Sequence, residues 1–319
     1  MSVMEIFQPI LDPLESFVAK IGPDARAIKF RGQYEVADRV IDVLGPVLPQ
    51  LTYLDLTGMP IGSAGLRRLL MDPRAAKLHT LILGGVMYQE VSKPGPWPDE
   101  VLDPKWKAML TTRLGDEGLH ELGMVYELRG LRSLDVSHVV ARPESWRAFA
   151  TSPLAAQLEC LTVDMADLET ETIEALLGHA RELRSLAIQA KDGDAAAAVI
   201  ARHGAQLRRL CLHYVHNSGI KTLLDASLPE LRTLEVLGTF DGETIEVIRR
   251  RQGLPALSTL YLPYDSQIPT GKEEVWTDWD GSVVGGGVEY MKIWEVEKQF
   301  FADSTLRIGH SPPWPTTWL

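Results

Sequence analysis

One pattern governs this chain: Leu-x-x-Leu-x-Leu, with Val or Ile as variants, returns through most of its length. It begins at Leu51, Leu54 and Leu56 and recurs at Leu78, Leu81 and Leu83, then at Leu131, Leu134 and Val136, and at Leu158, Leu161 and Val163. Four more follow, starting at Leu183, Leu207, Leu231 and Leu257, so successive starts lie 27, 53, 27, 25, 24, 24 and 26 residues apart. The last two leucines of each pattern are two residues apart and share one face of a strand, while the residues between them face the other way. So short a strand cannot bury its leucines alone. Stacked in parallel on its neighbours, with a helix as the returning crossover, it closes a continuous core. Helical returns read at 170–182, 194–204, 219–227 and 241–252, several opening on Asp, Ser or Thr suited to capping.

The 53-residue step predicts a degenerate unit near residue 104, at Pro104-Lys105-Trp106-Lys107-Ala108-Met109, which brings the count to nine. Upstream, Ile28, Phe30 and the helical pattern at 35–44 read as a capping unit that shields the first rung's edge. The expected organisation is a single solenoid: an N-terminal helical cap over 1–50, nine repeats over 51–264 with an insertion at about 84–103, and a Trp-rich cap or tail over 265–319.

On these residues, together with IGSAGLRRLL at 61–70 and LGDEGLHEL at 114–122, the chain resembles the leucine-rich-repeat proteins, the ribonuclease-inhibitor-like subclass in particular. The resemblance spans roughly residues 25–264. It implies an α/β solenoid of horseshoe shape, with a parallel sheet on the concave side and helices on the convex side. It also implies a protein-binding or regulatory role, as in the enzyme inhibitor that founded the subclass. The ninth repeat position departs from the family. Where Asn, Cys or Thr is usual, this chain has Met59, Val86, Thr112, Val139, Ala166, Lys191, Val215, Thr239 and Asp265, so no ordered polar ladder is expected there.

The residues between the leucines set the concave surface. Its central row is Asp55, Ile82, Ala108, Asp135, Thr162, Ala187, Cys211, Glu235 and Tyr261; the row before it runs Tyr53, Thr80, Trp106, Ser133, Cys160, Ser185, Arg209, Thr233 and Thr259. Acids, hydroxyls and aromatics mixed over a broad sheet suit protein recognition. The candidate partner-binding residues there are Tyr53, Asp55, Trp106, Asp135, Arg209, His213, Tyr214, Glu235, Tyr261 and Tyr264. A second candidate is the stretch at 84–106, read as replacing the helical half of repeat two. Pro94, Pro96, Pro98 and Pro104 forbid a normal helix there, and Trp97 is its expected contact. Third is the tail, which holds five of the eight tryptophans. Strands around EVWTDW and VEYMKIW, joined by a turn containing Gly285, Gly286 and Gly287, predict a hairpin that continues the sheet. Trp314 and Trp318 among the last prolines either pack on that cap or are presented to a partner. Arg132, Arg184, Arg208, Arg209 and Arg232 occupy early positions of their repeats. Pairing with Glu159 and Glu235 across repeats is the favoured expectation; a positive stripe that meets an acidic peptide is the other.

Charge and motifs narrow the function classes. A formal net charge of −11 repels phosphate backbones and anionic lipids, so neither nucleic acid nor membrane is expected as a partner. No Walker loop, dinucleotide fingerprint or nucleophile elbow is present. Cys211, His213 and His216, with Asp164 and His138 on nearby repeats, lack a second tight ligand pair, so a zinc-dependent enzyme is a distant alternative. Two cysteines, Cys160 and Cys211, and no export signal at the first residues point to the cytoplasm, and Ala, Arg, Gly and Pro usage to a bacterial source. The reading is a non-catalytic binding, scaffold or regulatory protein without a cofactor, which recognises another protein through the concave face, the 84–103 loop and the tail. Its alternative is a substrate or signalling subunit whose tail a partner enzyme recognises or cleaves.

Overall fold

A computed structural model describes residues 3–7, 18–31, 39–57, 61–84, 114–124, 128–137, 139, 141–238, 241–250, 254–262, 265–277, 283–292 and 307–310. The chain divides into two compact units, residues 1–183 and 184–318. The division falls inside the repeat that starts at Leu183, where nothing in the leucine spacing marks it.

The first unit carries six parallel strands: β1 (Val3–Phe7), β2 (Ala27–Arg31), β3 (Tyr53–Asp55), β4 (Thr80–Ile82), β5 (Ser133–Asp135) and β6 (Cys160–Leu168). Its helices are α1 (Arg39–Leu44), α2 (Ser63–Met71), α3 (Asp116–Gly123), α4 (Pro143–Ala150), α5 (Pro153–Gln157) and α6 (Thr170–His179). The N-terminal cap expected to be helical therefore contains two strands, with Val3 opposite Ala27 and Ala27 opposite Tyr53. The leucines do what their spacing dictates: Leu54, Leu81 and Leu134 are wholly buried, as are Leu51, Leu131 and Leu158. Helix faces meet them, with Leu66, Leu69, Leu119, Leu122, Trp146 and Phe149 turned inward.

Rungs are spaced by one recurring contact. The carbonyl of Arg26 accepts from the N–H groups of Thr52 and Tyr53, that of Thr52 from His79 and Thr80, that of His79 from Arg132 and Ser133, and that of Arg132 from Glu159 and Cys160, all at 2.7–3.1 Å. The step from His79 to Arg132 is the same as the others, and Thr80 pairs directly with Ser133. Strands β4 and β5 are therefore neighbours in the sheet, and the unit expected near residue 104 lies outside the described residues.

The second unit repeats the scheme with β7 (Ser185–Ala190), β8 (Arg209–Val215), β9 (Thr233–Gly238) and β10 (Thr259–Leu262), in parallel register through Leu186, Leu210, Leu234 and Leu260. Helices α7 (Gly193–His203), α8 (Asn217–Asp225) and α9 (Gly242–Arg250) return the chain. Two further strands, β11 (Asp265–Thr277) and β12 (Val283–Lys292), form the predicted antiparallel hairpin, but as a separate two-stranded sheet. The edge of β10 is instead covered by β13 (Arg307–His310), in parallel. Gly285, Gly286 and Gly287 lie within β12, opposite Trp276, Val275 and Glu274, not in the turn. A strand without Cβ atoms facing bulky residues is a known use of glycine. Both units are α/β solenoids of the leucine-rich-repeat type, one parallel strand per repeat with helices as the return.

A polar ladder does exist, at the helix starts instead of the ninth repeat position. Asp116, first residue of α3, accepts through Oδ1 from the N–H of Arg142 at 2.8 Å and the hydroxyl of Ser145 at 2.7 Å, one repeat on. Those bonds hold the Asp116 carboxyl down at about 2, the Ser145 hydroxyl contributing most. Asn217, first residue of α8, does the same for the N–H of Asp241 at 3.1 Å and the hydroxyl of Thr244 at 2.9 Å. Pro143 holds the equivalent place in α4 and offers no side-chain acceptor. Correspondingly, the hydroxyl of Thr172, the counterpart of Ser145 and Thr244, is buried without a hydrogen-bond partner among the described residues.

Candidate functional site

The strand exits, where chain leaves the sheet for its helix, are where this molecule departs from its own repeat. In the first unit Asp55 and Asp135 close their strands with matching turns. The N–H of Thr57 donates to Asp55 Oδ1 at 2.9 Å, and the N–H of Ser137 to Asp135 Oδ1 at 2.8 Å. Both follow from the local sequence Leu-Asp-x-Thr/Ser, in which the carboxylate satisfies the backbone two residues on. Asp55 is 3% exposed and Asp135 5%. Both are buried residues that form the turns at the ends of their strands.

Between those turns lies Gly84, at the exit of β4 and beside Asp135. Chain is described again from Leu114, which leads into α3, and α3 packs beside α2 through Arg67 Nε donating to Glu121 Oε2 at 2.8 Å. Strand β4 and helix α3 thus belong to one repeat, with 85–113 entering at the strand-to-helix junction. The insertion expected at about 84–103 lies, but for Gly84, outside the described residues. Trp97 and Trp106 lie outside the described residues, as do Tyr264, Trp314 and Trp318.

In the second unit the exit of β8 is exceptional. Register runs His213 opposite Leu237 and then Val215 opposite Gly238, so Tyr214 is an extra residue in the strand. It adopts φ 56°, the left-handed region, and its side chain is 55% exposed. The neighbouring repeats are shaped around it. A Cβ at Gly193 would lie 2.2 Å from the Tyr214 carbonyl oxygen, and one at Gly238 1.7 Å from that of Val215. Only glycine permits either approach. The Tyr214 ring meets His213 edge to face, centroids 6.4 Å apart.

His213 itself is buried, and burial pushes its imidazole down to about 4, so it is neutral at physiological pH. Gln189, Cys211 and Glu235 are buried beside it in register on the helix-free face of the sheet. His213 and Glu235, both candidate contacts, are thus buried. His216 is exposed and its N–H donates to Asp194 Oδ1 at 2.7 Å. Among the described residues no three His, Cys, Asp or Glu side chains gather as a metal site would require. Of the remaining candidates, Arg209 is exposed, Tyr261 is half-buried, and Tyr53 is half-buried with Lys29 Nζ 5.5 Å from its ring centre. Sequence reasoning singled out Tyr214 but missed its bulge. The available signal was a glycine at the strand exit of each flanking repeat, Gly193 and Gly238.

No protein-family model and no curated protein matches the chain. Among solved structures it is similar to a Bacteroides fragilis protein determined as a structural-genomics target, at 12% identity over 80% of this chain and 72% of that one, with a TM-score of 0.49. It is also similar to the TLR13 chain of a TLR13–ssRNA13 complex, at 12% identity and a TM-score of 0.32. That alignment covers 81% of this chain but spans only 45% of TLR13. Among the described residues no helix is long and apolar enough to cross a membrane.

Proposed function

We propose that the chain is a non-catalytic recognition protein that binds another protein through its strand exits, with Tyr214 and the 85–113 insertion as contacts. Solenoids of this class commonly serve as extended binding surfaces. The observation that carries the reading is Tyr214: a non-glycine residue in the left-handed region costs about 1–2 kcal/mol. Glycine would remove that cost, yet a large aromatic is held there, more than half exposed, by two glycines of flanking repeats. Exposed, rigidly held tyrosines are the usual stuff of binding hot spots. Trp97 in the insertion is the second proposed anchor, and regulation or scaffolding is the role that such binding serves.

The test is affinity capture from the native host with the intact chain, followed by titration of the captured protein against variants. Tyr214→Gly is expected to fold with about 1 kcal/mol more stability, from relief of backbone strain, while its affinity falls at least tenfold. Trp97→Ala is expected to weaken the same complex. Unchanged affinity in both variants refutes the reading.

A further inference from the structure

At the opposite ends of the strands, their entrances, the second unit carries an arginine on three successive rungs. Arg184, Arg208 and Arg232 are equivalent residues: the carbonyl of Arg184 accepts from the N–H groups of Arg208 and Arg209, that of Arg208 from Arg232 and Thr233, and that of Arg232 from Ser258 and Thr259. The same contact that spaces the rungs thus fixes the arginines about 4.8 Å apart along the sheet. Arg209 adds a fourth on the helix-free face, and Arg307 enters the same register row through its pairing with Thr259.

The equivalent positions of the first unit are Arg26, Thr52, His79, Arg132 and Glu159, where Arg132 lies 3.6 Å from Glu159. In the second unit Arg208 lies 3.5 Å from Glu230, both about half exposed. Arg209 and Arg232 are exposed and form no ion pair among the described residues. A row of like charges this close is self-repulsive, and in a chain of net charge −11 it is a local reversal of sign. Planar guanidinium groups at regular spacing suit carboxylates, which they bind through two parallel hydrogen bonds.

We infer that the strand-entrance edge of residues 184–318 binds an acidic, extended segment of a partner protein. The inference rests on the recognition reading above and names the chemistry of the partner. A peptide suits this edge better than a nucleic acid. The residues interleaved with the arginines are buried Ser185 and the more open Thr233, Ser258 and Thr259, of which the last three offer hydroxyls to a peptide backbone, and none offers a ring on which a base stacks. A long polyanion also meets the repulsion of the rest of the chain, whereas a short acidic run in a partner of mixed charge does not.

The experiment uses the full chain and a dye-labelled decapeptide of alternating Glu and Ser, read by fluorescence anisotropy at two salt concentrations. Binding is expected, weakening as salt rises. The paired variant Arg208→Gln and Arg232→Gln is expected to lose at least tenfold in affinity with an unchanged melting temperature, and Arg232→Glu to lose more. No binding of the decapeptide, or binding that the variants leave intact, overturns the inference. So does arginine-dependent binding of a single-stranded RNA decamer tighter than that of the peptide. Titrating the captured partner with the same arginine variants separates the two readings. A partner that needs Tyr214 or Trp97 but not the arginines sinks only the acidic-segment inference, and a partner that needs none of them sinks the recognition reading.

Discussion

Replacing Asn217 with alanine should cost the second unit roughly 2–3 kcal/mol, far more than an exposed helix-start asparagine ordinarily carries. Its amide makes three bonds across the repeat boundary. Nδ2 donates to Asp241 Oδ2 at 2.7 Å, and Oδ1 accepts from the N–H of Asp241 and the hydroxyl of Thr244. Each bond contributes about 1 kcal/mol net. Thr244 is 0% exposed, but its hydroxyl also lies beside the Asp241 carboxylate, which can accept the bond that Asn217 gives up, so no further loss is added. Against this stands the higher helix propensity of alanine, a gain of about 0.5 kcal/mol. The assay is urea unfolding followed by circular dichroism, with hydrogen exchange of the amides over 242–250 as a local readout. A double-mutant cycle with Thr244→Val isolates the shared bond, and a coupling of about 1–2 kcal/mol is expected. A cost below about 0.5 kcal/mol, or additivity of the two substitutions, refutes the idea that the ladder holds neighbouring repeats together.

Pro143→Asn supplies the missing acceptor for Thr172 and should raise stability by about 1 kcal/mol, seen as a higher melting temperature that Thr172→Val abolishes. Because burial lowers the His213 pKa, the neutral form is the one the fold keeps. Its contribution is complete above the unfolded value near 6.5 and declines as pH falls toward about 4. The decline amounts to roughly 3 kcal/mol at most, and a His213→Gln variant should lack this slope in unfolding measured from pH 7 to pH 4. Gly238→Ala drives a Cβ onto the Val215 carbonyl oxygen and should destabilise by about 3 kcal/mol or more, whereas Gly178→Ala, where a Cβ meets nothing within 4 Å, should be neutral or mildly stabilising by melting temperature.

The leucines made the rungs legible because a period of two within a strand and about 26 between strands admits only one stacked solution. What the same letters concealed was local polar chemistry. Asp55 and Asp135 alternate with leucines and so lie on the face away from them, where the Thr57 and Ser137 amides donate to their carboxylates. Asp116 and Asn217 became ladder residues only through Ser145 and Thr244, 29 and 27 residues on. That pairing of helix start with a hydroxyl one repeat and three residues later is a searchable signal. The bulge at Tyr214 left no mark in β8 itself, since its cause lies in glycines on either side.

Because the same carbonyl step recurs from rung to rung within each unit, the distance along the chain between β4 and β5 is irrelevant to how they meet. Joining Gly84 to Leu114 by four residues in place of 29 changes the entropy of closing the connection by only about 2 kcal/mol. The junction after β4 is thus a port: foreign segments can be grafted there or the native one excised, while the scaffold on both sides keeps its pitch.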